Sequence, residues 1–153
     1  MVIGLRRLGL LLVLLLAVPV MAELSYREDV DGVAVVDVTM PEFASPGRNV
    51  TVTIVFTSKK DMDFVVWVLA GYGWGRWTNW TKLLKEHLKP LEKRILVHRV
   101  AIPEDVETGP MIVVLEVQYY DVEHYRVEGN QTYYDYTYRI FPGPYIHGTE
   151  PRP

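Results

Sequence analysis

The sequence predicts an all-β protein: one two-sheet sandwich of about seven strands with one short helix, preceded by a signal peptide. Three observations carry that expectation. Apolar and polar residues alternate with period two in segment after segment behind residue 22. Val, Ile, Thr, Tyr and Trp fill those segments, while Gly, Pro, Asn and Asp punctuate them. The 153 residues are 49% hydrophobic and 23% charged, enough apolar material for a single core and too much for a disordered chain.

The first residues read as an address. Arg6 and Arg7 precede an almost unbroken Leu/Val run over Leu8–Val18, and Pro19-Val20-Met21-Ala22 ends in a small residue before Glu23. That is the basic, apolar, small-residue layout of a secretory signal peptide, with cleavage after Ala22. A helix over the run reaches roughly 17 Å at ~1.5 Å per residue, well short of a hydrocarbon core of about 30 Å. A retained anchor, as in pilin-like or surface-layer subunits, is the competing reading. The residue before the two arginines is not polar, which weakens a twin-arginine export signal. Domain limits follow: residues 1–22 signal peptide, 23–142 sandwich, 143–153 a flexible tail rich in Pro and Gly. Export sets the localisation as extracellular or cell-surface, with a membrane met only in transit unless the leader stays.

Behind the leader, Gly32–Met40 alternates with Ala34, Val36, Val38 and Met40 on one face. Asn49–Thr57 alternates more cleanly, turning Val50, Val52, Ile54 and Phe56 inward. Phe64–Ala70 is apolar on both faces, as a covered central strand would be. Arg94–Ile102 and Met111–Tyr120 make a pair of strands joined by residues 103–110, and the region near Leu91 is a candidate extra edge. Tyr133–Phe141 is the last strand, with Tyr134, Tyr136, Tyr138 and Ile140 sharing a face. Between these, Thr81 to Lys89 spaces Leu84 and Leu88 four apart, with Thr81 as cap and Pro90 as stop. The spacing predicts about two turns of helix crossing between the sheets.

Two stretches carry a resemblance. Pro41-Glu42-Phe43-Ala44-Ser45-Pro46-Gly47-Arg48-Asn49-Val50-Thr51-Val52 resembles the turn into the second strand of immunoglobulin-like modules. Arg99 to Pro103, through Thr108-Gly109-Pro110-Met111, resembles the link before their sixth strand. Trp67 stands mid-strand where such modules carry a core tryptophan. Over roughly residues 32–141 the chain is similar to fibronectin type III and bacterial cell-adhesion-related domains, and departs from antibody-type domains in lacking both cysteines. The resemblance implies adhesion, spacing or loop presentation, and no catalysis.

Composition and motifs agree with a contact role. Sixteen Lys and Arg stand against nineteen Asp and Glu, a formal charge of −3; loss of Arg6 and Arg7 with the leader leaves fourteen against nineteen, or −5. Such a balance argues against a nucleic-acid partner. The absence of cysteine excludes disulfides, thiolate metal sites and a cysteine nucleophile. His87, His98, His124 and His147 have no metal-ligand spacing, and His98 reads as a histidine of the sheet or core. In Asp121-Val122-Glu123-His124 the imidazole points away from the two carboxylates on an extended chain. Asp61 and Asp63 lack the glycine and distal glutamate of a calcium loop. No nucleophile elbow, phosphate-binding glycine loop or zinc-protease motif occurs. No catalytic residue, metal or cofactor is expected.

One loop stands apart. Gly71-Tyr72-Gly73-Trp74-Gly75-Arg76-Trp77-Thr78-Asn79-Trp80 packs four aromatics, three glycines and an arginine into ten residues. Flat rings give large contact area at low rotamer cost. Tyr72, Trp74, Arg76, Trp77 and Trp80 are therefore candidates to bind a glycan or a surface protein; alternatively, the tryptophans cap the sandwich core. A third reading comes from the sequons Asn49-Val50-Thr51, Asn79-Trp80-Thr81 and Asn130-Gln131-Thr132. Trp77 lies two residues before Asn79, so a sugar on Asn79 can shelter on its indole. Tyr119, Tyr120, Tyr125, Tyr133, Tyr134, Tyr136 and Tyr138 flank a turn at Glu128–Gln131, and a tight turn would expose several of them. The expected function is contact as an adhesion, envelope or accessory protein. A small carbohydrate-binding module using the loop 71–80 is the alternative, and a subunit retaining its N-terminal helix a further one.

Overall fold

The computed structural model describes residues 22–73, 75–120, 126–128 and 131–148. The leader, Trp74, Asp121 to Tyr125, Asn130 and the end of the expected tail lie outside those residues. Ten strands form two sheets. The four-stranded sheet runs in the order β1 (Glu23–Val30), β2 (Ala34–Pro41), β4 (Asn49–Ser58), β8 (Lys93–Ala101). The six-stranded sheet runs β3 (Phe43–Ala44), β12 (Asp135–Ile146), β9 (Gly109–Tyr120), β5 (Met62–Tyr72), with β6 (Arg76–Trp77) and β7 (Thr81–Leu88) both pairing β5. A separate ribbon joins β10 (Arg126–Glu128) to β11 (Gln131–Tyr133). All pairings are antiparallel except the short β3–β12 contact. The result is an all-β two-sheet sandwich.

Alternation fixes what lies between the sheets. Val36, Val38, Val52, Ile54 and Phe56 from one sheet meet Phe64, Val66, Val113, Leu115 and Phe141 from the other, all buried. Phe56 and Phe64 meet edge-on across the gap, with ring centroids 5.0 Å apart. Along one border the Tyr26 hydroxyl donates to the Pro142 carbonyl at 2.8 Å, and Arg139 reaches Glu28 at 3.3 Å and Asp31 at 3.1 Å. Along the other, Arg94 on β8 donates twice to Glu86 on β7, at 3.0 and 2.7 Å.

Four expectations need correction. Residues 81–88 are a strand and not a helix: Leu84 and Leu88 are four apart, a spacing that shares a face with period two as well as period 3.6. The ladder to β5 decides between them, with Leu84 opposite Val66 and Leu88 opposite Met62. The crossing between sheets falls to residues 89–92, where Leu91 takes φ 71°. β8 and β9 do not pair; the link between them carries the chain from one sheet to the other. β12 runs to Ile146, four residues into the expected tail, past a register shift between Pro142 and Tyr145. Trp67 points outward rather than into the core, half-buried beneath the Lys82 ammonium at 5.0 Å from its ring. The strand β1 was not anticipated at all.

Candidate contact surface

β5 turns Phe64, Val66, Val68 and Ala70 inward, which leaves Val65, Trp67, Leu69 and Gly71 on the outer face of the six-stranded sheet. Register extends those positions into rows. Trp67 lies opposite Glu116 on β9, which lies opposite Tyr138 on β12; Leu69 leads likewise to Val114 and Ile140; Gly71 leads to Ile112 and Pro142. One row further along, Val65 leads to Gln118 and Tyr136. Tyr134 precedes β12 in the same alternation. The outer face is thus aromatic and aliphatic, with Tyr136 62% and Ile140 63% exposed.

The unusual loop delivers Trp77 and Trp80 onto this face. Trp77 on β6 pairs with Gly71, and its indole lies where a Cβ on Gly71 would stand, 2.6 Å from the nearest ring carbon. Gly71 is therefore the seat of that ring, which remains 54% exposed. The chain then returns to β5, with Thr78 N–H donating to the Ala70 carbonyl at 2.8 Å and Ala70 N–H donating to Thr78 Oγ1 at 2.9 Å. Trp80, just before β7, meets Tyr138 of β12 at 6.3 Å between centroids, and Tyr138 meets Tyr136 at 5.8 Å. Those rings are tilted to one another by 42° and 75° and do not form a coplanar platform.

Polar groups sit among the rings. Gln118 donates to Glu116 at 3.0 Å on the same face. The Glu116 carboxylate holds the Tyr138 hydroxyl above the usual tyrosine range, with a smaller push from desolvation. Lys82 and Lys85 of β7, opposite Trp67 and Val65, bound the face on its far side.

The other loop residues go elsewhere. Tyr72 packs half-buried against the core, and Arg76 sits 5.7 Å above its ring while pairing with Asp105 at 3.1 Å. The candidate set therefore divides: Trp77 and Trp80 join the β12 tyrosines, Tyr72 and Arg76 close one end of the sandwich, and Trp74 lies outside the described residues. Asn79 is exposed and outside any strand; Asn49 is exposed at the start of β4, opposite Ala101.

Two histidine environments were not separable by spacing. His98 faces inward between Leu96 and Val100, half-buried, and desolvation lowers its pKa. His87 is held by Asp63 at 2.6 Å on Nδ1 and by Asp61 on Nε2, and these two bonds raise its pKa. Among the described residues no group of three or more His, Asp or Glu side chains has the geometry to hold a metal ion.

No protein-family model matches this chain, and no curated protein matches it either. The surface itself must carry the functional argument.

Proposed function

We propose that this chain is an exported, non-enzymatic β-sandwich that works by contact at the cell surface, as an adhesion, envelope or accessory protein. Its contact surface is the outer face of the six-stranded sheet. The observation that carries the proposal is the row of exposed Tyr136, Tyr138 and Ile140 on β12, with Tyr134 just before the strand, met by Trp80 across two intervening strands. A soluble sheet face that only meets water is ordinarily polar, and a contiguous apolar patch marks an interaction site.

The immunoglobulin-like reading supports the same function. The turn over residues 41–52 leads into β4 and the link over residues 99–111 leads into β9, which supports the likeness of these two to the second and sixth strands of that architecture. Modules of this kind act by adhesion or presentation; the outward Trp67 departs from them.

The partner is a protein. Ile140, Val114, Ile112 and Leu69 fill half of the face with aliphatic carbon, which suits the apolar core of a protein interface and offers nothing to a sugar hydroxyl. The tilted rings likewise suit an irregular partner better than a planar polysaccharide. Lys82 and Lys85 supply a polar border on the β7 side, and Glu116 and Gln118 put hydrogen-bonding groups among the rings.

The test is retention of the mature chain on envelopes from its own source cells. Wild type should bind untreated envelopes and lose binding after protease treatment. Ile140→Glu, which puts a charge in the apolar row, should weaken retention by about tenfold or more. Binding that survives protease but not glycosidase would favour the carbohydrate-binding alternative. Undiminished retention of Ile140→Glu would remove the face from the function.

A further inference from the structure

We infer that Asn79 is a glycosylation site whose first sugar packs on Trp77, at the border of the aromatic face. The inference rests on the export reading, since the acceptor motif is used on exported chains. Three observations converge on this position. Asn79-Trp80-Thr81 is an acceptor motif with Thr in third place. Asn79 is exposed in the connection from β6 to β7, outside any strand, so its backbone is not committed to a ladder. It stands in sequence between two large apolar side chains that stay in solvent, Trp77 at 54% and Trp80 at 40% exposed.

The chemistry fits those neighbours. A sugar ring has one face of C–H groups that packs on an indole, and hydroxyls at its rim that stay in water. Trp77 can receive it, because the six-membered ring of its indole is seated against Gly71 while more than half of the side chain stays exposed. Thr78 locks the turn through its two hydrogen bonds to Ala70, which fixes Asn79 two residues from the seated ring. Asn49 contrasts with this arrangement. It is the first residue of a paired strand, and the exposed large apolar residues on the neighbouring strand β8 are Ile95 and Val97, neither of them aromatic. The glycan would cover the loop tryptophan and leave the β12 tyrosines open, fencing one border of the contact surface.

Peptide mass spectrometry of the protein recovered from its source cells reads the mature N-terminus and the mass at Asn79 together. An N-terminus at Glu23 is expected, with sugar on Asn79 in wild type and in Thr81→Ser, and none in Asn79→Gln or Thr81→Ala. Hydroxyl-radical footprinting on the same samples should find Trp77 oxidised several-fold less in wild type than in Asn79→Gln, with Trp67 unchanged. A bare Asn79 on a chain beginning at Glu23 overturns the glycan and leaves export standing. A bare Asn79 on a chain with its leader intact overturns the cleaved-leader reading on which the glycan rests, and the glycan with it. A sugar on Asn79 with Trp77 equally oxidised in both proteins overturns the packing.

Discussion

At the scale of single residues, a missing methyl group at Gly71 decides where an exposed indole lies. A Cβ there would stand 2.6 Å from a Trp77 ring carbon, closer than packed atoms come. Alanine should otherwise suit this strand position better than glycine, by roughly 0.5–1 kcal/mol. The two effects separate in a double-mutant cycle: Gly71→Ala should destabilise the wild type by lifting the ring, and be neutral or stabilising in Trp77→Ala. Urea unfolding should return a coupling of about 1 kcal/mol, and a coupling near zero would mean the ring is not seated on Gly71. His87 makes a pH-dependent claim of the same grain. Its pKa is raised by Asp63 first and then Asp61. Such a group contributes stability that is fully present below its ordinary value of 6.5 and is lost as pH rises through the raised folded value. Wild type should therefore lose stability relative to His87→Gln as pH is raised through that window. A difference that is flat with pH, or grows with it, would exclude the clamp.

At the scale of elements, β7 is where two periodicities agree on the same leucines. Leu84 and Leu88 face the core whether the segment is a helix or a strand, so their spacing could not distinguish the two. What decided it was a partner: β5 had an open side, and pairing with it satisfies backbone groups that a short surface helix would leave to water. Leu88 is fully buried opposite Met62, so Leu88→Ala should cost about 2–5 kcal/mol in urea unfolding; a cost below that would place β7 outside the core. β1 was illegible for the opposite reason. Of its inward residues only Val30 is fully buried; Leu24, Tyr26 and Glu28 are half-covered at the sheet edge, and two of those three are polar enough to hide the alternation. They nonetheless join the sheets, Tyr26 through its hydroxyl to Pro142 and Glu28 through Arg139. The strands β2, β4, β9 and β12 were legible because each is long and alternates around buried Val, Ile, Leu or Phe, and β5 and β8 because each is a long run rich in β-branched residues between turn signals. Their sheet membership was not, because a link such as residues 102–108 can close a hairpin or cross the sandwich.

At the scale of the whole molecule, the alternation in β12 named a face without saying which side of the sandwich it occupies. Tyr134, Tyr136, Tyr138 and Ile140 are the more apolar set, and a core would ordinarily claim them. The structure gives the interior to Thr137, Arg139 and Phe141 instead, with Arg139 answering Glu28 and Asp31 at the sandwich border. A strand that half-buries an arginine and exposes its tyrosines forgoes core packing, and that inversion is visible in the structure and not in the sequence. The aromatic loop was legible as a feature, but its division was not, since only the ladder from Gly71 to Trp77 sends one part outward. The inversion makes its own prediction about Ile140, which is 63% exposed. If the face is built for contact, Ile140→Glu should leave unfolding stability within about 0.5 kcal/mol of wild type, as surface substitutions do, while envelope retention falls. If the residue instead belonged to a core, the same charge would destabilise the fold by several kcal/mol, and any loss of retention would follow from unfolding. Measuring urea midpoint and retention on one preparation separates the two: only a protein that stays folded while losing its grip on the envelope has spent those tyrosines on a partner.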